Sequence, residues 1–353
     1  MDAMKKADIG VGEYVGKFET AWADKNNYLH GVACNSGTNA IYLALKALGI
    51  GPGDKVIVPE YTMIATAWAV TYTGAKPIFV DCNDNLTIDV EDLNEKLSRH
   101  VDVKAIIVVP IYGRPVDRSI YERPYPIIEE MAEAHGIQPR GYAACYSFYG
   151  NKIITTGEGG MVLTNDEDYA DEMRKLANMY FDEKRTMIHP KVGHNFRMTN
   201  IQAAVGLAQV ERLEEMLERR KYIEYEYDAY LNPKFLMPKR EVVWMYDIQF
   251  RTEEERDEAR ERLAAEGIES RLGFKPMSMQ PMYFDEKHPT RHTRLNAYKW
   301  SKLILYLPTY PDLEHREIVK ISRILDFIYE RERHHYRNDD VSGDDSSEGD
   351  EIA

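Results

Sequence analysis

The segment that decides the fold is Ser147–Asp166, which reads SFYGNKIITTGEGGMVLTND. It continues the apolar run Ala143–Phe148 and closes with a second apolar run, Gly160–Thr164, and both runs are typical of strands. Lys152 therefore comes just after a strand end, in an otherwise apolar and glycine-rich stretch. A lysine held in a pocket with a lowered pKa can form a Schiff base with an aldehyde cofactor, although most lysines are simply solvated.

Outward from this segment, residues 30–165 alternate short apolar runs with helix signals. Further strands are predicted at Lys55–Pro59, Pro77–Asp81, Ala105–Pro110 and Pro126–Glu129. Their apolar residues are consecutive and do not alternate with polar ones, which is typical of strands covered on both faces. The sequence therefore predicts an α/β fold, with a mainly parallel sheet between helices such as Thr38–Leu48 and Thr62–Tyr72.

The C-terminal half has a different pattern. Asn200–Ile223 is predicted as one long helix that links two domains. Beyond it, a strand, a helix, a strand and a helix are predicted at Val242–Phe250, Glu253–Glu266, Ile268–Phe274 and Leu313–Arg331. This order favours a smaller α+β domain. We expect a large domain at residues 1–212, a small domain at 213–337 and a tail at 338–353.

Composition excludes several classes of protein. The 353 residues carry a net charge of −14, which argues against a nucleic-acid partner. The tail holds seven acids and no bases, so we expect it to be disordered, and a solvating role is favoured over a docking role. Mean hydropathy is −0.51, and no apolar run is long enough to predict a membrane span. No leader peptide is recognisable, which predicts a cytoplasmic protein.

Cysteines and metals contribute nothing to the predicted chemistry. The three cysteines, Cys34, Cys82 and Cys145, are far apart and odd in number. They match neither a disulfide framework nor the spacing of metal ligands. We therefore expect three small core residues and no metal site.

Three more segments carry candidate chemistry. Asn35–Thr38 begins a predicted helix and could bind an anion, although Ser and Thr are also ordinary N-caps. Glu129 and Glu130 end an apolar strand, where one carboxylate could keep a pyridinium nitrogen protonated or simply start a helix. The glycines of Thr155–Gly160 indicate close backbone approach or a plain loop. Together with Lys152, the order of these segments indicates an enzyme that uses pyridoxal 5′-phosphate (PLP).

The sequence also resembles a known family, the DegT/StrS-type sugar-nucleotide aminotransferases, which have the type I PLP-dependent aminotransferase fold. The resemblance runs from about residue 15 to residue 325. It is carried by CNSGTNAIYLALKALGIGPGDKVIVP (34–59), TYTGAKPIFVD (71–81), the segment 147–166, and NFRMTNIQAAVGLAQVERLEE (195–215). It implies a large domain with a mainly parallel sheet and a smaller C-terminal α+β domain.

The resemblance also implies a set of site residues. Lys152 matches the catalytic lysine that binds PLP covalently. The backbone amides of Gly37 and Thr38 and the hydroxyl of Ser147 match the groups that hold the PLP phosphate. Asn195 matches an asparagine that reaches the phosphate in the neighbouring subunit, which implies a homodimer with a shared active site.

Two carboxylates and one apolar side chain complete the implied cofactor site. Glu133 matches the Glu or Gln near the phenolic oxygen of PLP. Glu130 stands where the family usually has an Asp that pairs with the pyridine nitrogen. Met63 stands where an aromatic residue usually stacks on the ring, so its packing should be less rigid. Pro110 and Ser278 each replace a frequent His.

The length of one connection also departs from the family. Only residues 114–126 separate Gly113 from the strand at Ile127, and three of these thirteen residues are prolines. A parallel crossover usually contains a helix, so this helix should be only one or two turns long. The loop Gly136–Tyr146 and the N-terminal arm are also shorter than usual.

The resemblance implies a reaction. The amino donor would be L-glutamate, which leaves as 2-oxoglutarate, and the acceptor a GDP- or UDP-linked 4-keto-6-deoxy sugar. The tracts VVWMYDI (242–248) and ESRLGFKPMSMQPMY (269–283) favour GDP-4-keto-6-deoxymannose. A UDP-linked 4-keto sugar or a 3-keto sugar stays open. A sugar dehydratase is disfavoured because related dehydratases have His in place of Lys152. A non-catalytic PLP-binding homologue is the alternative from another class.

Overall fold

A computed structural model of the chain describes residues 9–182, 184, 186–288, 293 and 295–339. For residues 328–339 it describes the backbone only. Most of the predicted acidic tail, residues 340–353, lies outside the described residues. Within them, no helix combines the length and the apolar character that a membrane span requires.

The described part of the chain contains ten strands and ten α-helices. The strands are β1 (His30–Cys34), β2 (Lys55–Pro59), β3 (Lys76–Val80), β4 (Val103–Val108), β5 (Ile127–Glu130), β6 (Ala143–Ser147), β7 (Gly160–Thr164), β8 (Tyr246–Gln249), β9 (Arg271–Leu272) and β10 (Ile304–Leu307). The helices are α1 (Glu13–Lys25), α2 (Gly37–Ala47), α3 (Ile64–Thr73), α4 (Val90–Arg99), α5 (Glu167–Ala177), α6 (Asn200–Val210), α7 (Leu213–Tyr230), α8 (Glu253–Ala265), α9 (Asn296–Leu303) and α10 (His315–Asp339).

The larger sheet has seven strands in the order β1-β7-β6-β5-β4-β2-β3. Neighbouring strands from β6 to β3 pair in parallel, whereas β7 is antiparallel to both β6 and β1. Buried apolar side chains cover both faces of this sheet. The predicted α/β class with a mainly parallel sheet is therefore confirmed.

This topology brings several chain segments to one edge of the sheet. Because β1 and β6 are both antiparallel to β7, β1 ends at the same edge as the parallel strands. Strands β1, β2, β4, β5 and β6 all end there, and β7 begins there with Gly160 paired to Cys34 and Ser147. Ligands of α/β proteins bind at such carboxyl ends.

The crossover from β4 to β5 is short, as the sequence predicts. It contains the 3₁₀-helices Ile111–Gly113 and Arg118–Glu122 and no α-helix. Tyr112 has a φ of 51°, and Gly113 a φ of 76°. This left-handed backbone turns the chain sharply at the end of β4, at a cost for the non-glycine residue.

The C-terminal part has its own three-stranded antiparallel sheet, β8-β10-β9, with its own buried core. The prediction of one continuous helix at 200–223 is wrong, because α6 ends at Val210 and α7 begins at Leu213. Arg212, with φ −107° and ψ 8°, breaks the helical backbone between them. The boundaries of the two predicted domains stay a prediction.

One predicted strand is also shorter than expected. Val242 and Glu241 do not extend β8, because their N–H groups donate to the Gly113 carbonyl of the larger unit. Residues 242–245 therefore run along the junction between the two sheets, and only Tyr246–Gln249 joins the smaller sheet.

Candidate active site

A tight cradle forms where β1, β6 and β7 meet. Helix α2 starts at Gly37, and the Ser36 hydroxyl caps it by accepting from the Asn39 N–H at 3.2 Å. A Cβ on Gly37 would lie 2.6 Å from the Cβ of Ser147, so only glycine lets the helix start approach Ser147 this closely. Unpaired N–H groups of a first helical turn and a nearby hydroxyl suit a phosphate.

The two adjacent acids at the end of β5 have different environments. Glu129 is fully engaged by the protein, because it accepts from the Tyr121 hydroxyl and from the N–H groups of Arg140 and Gly141, at 2.7 Å each. Glu130 is also buried, but it accepts only from the Ala132 N–H at 3.0 Å and faces the charge of Lys152. Of the pair, Glu130 is therefore the carboxylate that could serve a ligand.

Glu133 supports the strained turn after β4. Its Oε2 accepts from the N–H of Tyr112 at 2.9 Å, and the side chain is buried. The Tyr112 hydroxyl bonds with the hydroxyls of Tyr61 and Tyr306, the latter on β10. Glu133 thus joins the reactive end of the sheet to a tyrosine cluster that bridges the two sheets.

Lys152 lies against Trp244, which belongs to the segment 242–245 at the junction between the two sheets. Its Nζ is 3.9 Å from the centroid of the indole ring, and the indole N–H donates to the Asn151 carbonyl at 2.8 Å. Both side chains line a cavity of about 770 Å³, which also includes Arg220, Tyr306 and Thr309. The lysine is therefore held in a preformed space large enough for a small organic ligand.

Burial tunes the charges of this group. It lowers the pKa of Lys152, and the carboxylates of Glu133 and Glu130 offset part of that effect. Burial raises the pKa of Glu130, although the positive charge of Lys152 acts in the opposite direction. Burial also raises the pKa of Glu133, to about 7. A buried lysine and two buried acids that shift one another's pKa values are typical of acid–base chemistry.

His135 is a neutral structural neighbour of the site. Burial lowers its pKa to about 3. Its Nδ1 accepts from the Ile154 N–H at 3.4 Å, so Nε2 carries the proton that is donated to the Ser147 carbonyl at 3.1 Å. This histidine fixes the strand end that presents Ser147 and the loop beyond Lys152.

The structure brings together most of the predicted site residues at this edge. Gly37, Thr38 and Ser147 form the cradle, while Lys152, Glu130 and Glu133 form the charged group. Met63 directly precedes α3, and its side chain is 50% exposed. Asn195 is also exposed. The next residue, Phe196, accepts a hydrogen bond at 2.8 Å from the Asn35 N–H through its backbone carbonyl. The roles of these eight residues toward a cofactor remain predictions.

Sequence reasoning did not identify Trp244, Arg220 or His135. Trp244 falls in the tract 242–248, whose apolar pattern predicts a strand and hides its contact with Lys152. Arg220 belongs to a highly charged helix, where an arginine is normally solvated. Only the fold reveals their burial.

The residues at this edge fit PLP. Its phosphate would take the Gly37–Thr38 amides and the Ser147 hydroxyl, and the glycine cradle supplies the close approach that this needs. Glu130, a buried carboxylate with one backbone partner, would serve the pyridine nitrogen. Glu133, whose carboxylate is attracted by Lys152, would serve the phenolic oxygen. The fold and this donor set define the aminotransferase class that uses PLP.

Comparison with known proteins agrees with this class. The model of the DegT/DnrJ/EryC1/StrS aminotransferase family matches residues 1–326. The chain therefore belongs to this family, whose aminotransferases depend on PLP, and the resemblance noted in the sequence is confirmed.

Among the relatives are three GDP-perosamine synthases, of which the one from Vibrio cholerae is 33% identical, over 89% of this chain and 90% of its own length. The one from Caulobacter vibrioides is 40% identical and the match covers 90% of this chain and 91% of the relative. The one from Escherichia coli O157:H7 is 38% identical, with the same coverage of 90% and 91%. A UDP-N-acetyl-3-dehydro-α-D-glucosamine 3-aminotransferase from Acidithiobacillus ferrooxidans is 32% identical, over 90% of this chain and 89% of its own length.

Solved structures show the same fold. DesV from Streptomyces venezuelae, in complex with a ketimine intermediate, has a TM-score of 0.83 at 28% identity and covers 93% of this chain and 92% of its own. Spr1654 from Streptococcus pneumoniae, in its PLP form, has a TM-score of 0.85 at 25% identity, with 94% of each chain covered.

Proposed function

We propose that this chain transfers the amino group of L-glutamate to a nucleotide-linked 4-keto-6-deoxy sugar. The specific reaction we propose converts GDP-4-keto-6-deoxymannose and L-glutamate into GDP-perosamine and 2-oxoglutarate. The observation that carries the proposal is Lys152, buried at the carboxyl edge of the sheet, in a cavity of about 770 Å³ and attracted by two buried carboxylates.

Each residue has a defined part in this proposal. Bound PLP supplies an aldehyde that joins to an amine and a conjugated ring that accepts an electron pair. Lys152 first holds the cofactor and, once released, removes the proton from Cα of the donor and later delivers a proton to sugar C4. Its lowered pKa lets the amine be neutral when it acts as the base.

The carboxylates set the polarity of the site. Glu130 would hold a proton on the ring nitrogen, and Glu133 would orient the ring through its phenolic oxygen while it supports the Tyr112 turn. Trp244 covers Lys152 and keeps water from one side of the amine. The donor and the acceptor would then react in turn, which gives ping-pong kinetics.

The choice of GDP rests on similarity and on two tracts. The three GDP-perosamine synthases are 40%, 38% and 33% identical to this chain, against 32% for the UDP-sugar enzyme. The tracts 242–248 and 269–283 agree with this choice. The UDP-linked 4-keto sugar, with UDP-viosamine as its product, is the alternative acceptor.

We also propose a homodimer with a shared site. Asn195 is exposed, on a segment that runs beside the start of α2, and in a dimer it would reach the phosphate held by the partner. The dissociation of the dimer should then reduce the affinity for PLP.

The test runs the second half-reaction backwards. The visible absorbance band of the PLP-loaded protein is recorded before and after the addition of GDP-perosamine or UDP-viosamine, in separate cuvettes. We expect loss of the band with GDP-perosamine only. Loss with UDP-viosamine only would overturn the GDP assignment.

A third cuvette with L-glutamate separates the class from the substrate. If glutamate bleaches the band and neither sugar does, the chain is an aminotransferase for another keto sugar. If neither glutamate nor the sugars change the band, the non-catalytic alternative replaces this proposal.

A further inference from the structure

The deeply buried arginines of this chain differ in one respect. Arg114 and Arg240 share Asp247, at 3.0 and 2.6 Å, and Arg240 also pairs with Glu224. Arg256, on α8, pairs with Glu253 and Asp257, at 3.2 and 2.7 Å. Such pairing is expected, because an uncompensated buried charge is very unfavourable.

Arg220 on α7 is the exception. It is only 7% exposed, and no carboxylate of the described residues accepts from it. Its Nη1 donates to the carbonyls of Trp244 and Thr309, at 2.8 and 3.2 Å, while its Nε is buried without any hydrogen-bond partner. Burial lowers its pKa with no compensating anion.

The position of Arg220 connects it with the reactive lysine. Both side chains line the cavity of about 770 Å³, and both contact Trp244. Lys152 lies over the indole ring, and Arg220 binds the carbonyl of the same residue. The unpaired cation therefore lines the same cavity as the reactive lysine.

We infer that Arg220 binds a carboxylate of the amino-group donor. This inference rests on the proposed function and deepens it. The Nε and Nη2 groups form one edge of the guanidinium, and neither has an acceptor among the described residues. The Nε of this edge is enclosed, so the charged Nη2 group is the donor that a carboxylate in the cavity would meet.

The other charges of the cavity favour a carboxylate over a nucleotide diphosphate. Lys320 is paired with Glu266 at 2.8 Å, and Arg271 with Glu269 at 2.9 Å. With these cations neutralised, Arg220 offers one free positive charge besides the reactive lysine. A single positive charge suits one carboxylate better than the two charges of a diphosphate.

The test measures the binding of glutarate, a dicarboxylate with the carbon chain of the donor but no reactive amine. Its Kd is determined by calorimetry with the PLP-loaded wild-type protein and with Arg220→Gln and Arg220→Lys. We expect Arg220→Gln to weaken glutarate binding about 10- to 100-fold, the value of a charged hydrogen bond, with partial rescue in Arg220→Lys. Arg219→Gln is the matched control.

Arg219 is the neighbour on the same helix and also donates to backbone carbonyls, those of Pro311 and Leu313, at 2.6 Å each. Its loss removes a similar structural contact without removing the cavity charge, so Arg219→Gln should bind glutarate like the wild type. Equal weakening by Arg219→Gln and Arg220→Gln would make the role of Arg220 structural and overturn the inference.

Inorganic phosphate serves as the second probe. Phosphate binding that depends on Arg220, with glutarate binding that does not, would reassign the arginine to a substrate phosphate and overturn the inference. In turnover, Arg220→Gln should raise the KM for glutamate by the same factor and leave the KM for the sugar nucleotide unchanged.

The glutarate result is independent of turnover. If the wild type binds glutarate through Arg220 but glutamate leaves the absorbance band unchanged, the proposed function fails and the anion site stands. If glutamate reacts normally in Arg220→Gln, the anion site fails and the proposed function stands.

Discussion

Two regions of this molecule bury charges at the junction of its sheets, and they do so differently. Around Asp247, the carboxylate is shared by Arg114 and Arg240. Burial alone would raise the pKa of Asp247, but the two guanidinium groups hold it below its ordinary value. Around Lys152, burial prevails, so the pKa of the amine falls and those of Glu130 and Glu133 rise.

The difference separates structural from chemical use of charge. A cluster of compensated charges, such as Asp247 with its two arginines, keeps one ionisation state and holds elements together. The group around Lys152 is only partly compensated, so the pKa values of the lysine and of the two acids move toward one another, which favours proton exchange among them. Arg220 has no carboxylate partner among the described residues and donates only to backbone carbonyls. Its charge is therefore uncompensated, which places it with the group around Lys152 and not with the cluster around Asp247.

Loss of the lysine should have the largest effect. Lys152→Ala removes the amine that the carboxylates of Glu130 and Glu133 attract, so we expect turnover to fall by about 10⁴-fold or more. Lys239→Ala, at an exposed lysine, is the control and should keep full activity. Steady-state assays compare the two variants, and full activity in Lys152→Ala would refute the assignment.

Breaking the paired cluster should affect stability. Asp247→Asn leaves two buried guanidinium groups without their shared anion, and we expect a loss of about 3–5 kcal/mol in the free energy of unfolding. Urea denaturation measures it. Asp171→Asn, in a surface pair with Arg174 at 2.9 Å, is the control with an expected loss below about 1 kcal/mol. Equal losses would remove the distinction between buried and surface charge here.

The acids near neutral pKa should make stability depend on pH. The pKa of Glu133 is about 7 in the folded chain, against an ordinary value of 4.5. Its contribution to stability is therefore complete below pH 4.5 and is lost as the pH rises through 7, by up to about 3 kcal/mol. Glu133→Gln, which can still accept from Tyr112, should flatten this part of the stability profile.

Glu60 provides a matched comparison outside the lysine site. It is buried against Ser278, and burial also raises its pKa to about 7. Glu60→Gln should flatten the stability profile in the same way but leave PLP capture unchanged, whereas Glu133→Gln should shift the pH dependence of PLP capture. A shift in both variants would contradict a special link between Glu133 and Lys152.

The smallest effect concerns Met63. If this side chain covers the cofactor ring, Met63→Phe should tighten PLP binding by up to about 10-fold, the value of a favourable aromatic contact. Leu29→Phe, at another exposed apolar position, should leave the affinity unchanged. Fluorescence titration with PLP measures both, and no gain in Met63→Phe would remove Met63 from the cofactor site.

Much of the fold could be predicted because its signals are local. The strands Lys55–Pro59 and Gly160–Thr164 have the predicted bounds, since each is a short apolar run that must be buried. The break at Arg212 could not be predicted, because apolar residues continue with helical spacing through it. Residues 242–245 look like a strand, yet Val242 bonds to Gly113 of a distant segment, and no local pattern records that contact.

The site divides in the same way. Lys152, Glu130 and the start of α2 mark the ends of predictable elements, so their order along the chain indicated their meeting. Trp244 and Arg220 line the same cavity as the lysine only because the smaller sheet packs against the larger one. Their function depends on burial, which the sequence does not display for a tryptophan or an arginine.

The central claim is that Lys152 is the residue that binds PLP. The direct test is to incubate the purified protein with PLP, reduce it with borohydride, digest it and locate the stable pyridoxyl group by mass spectrometry. We predict one modified lysine per chain, Lys152, and no modification there in Lys152→Ala. Modification at another lysine, or none after reduction, would contradict the account.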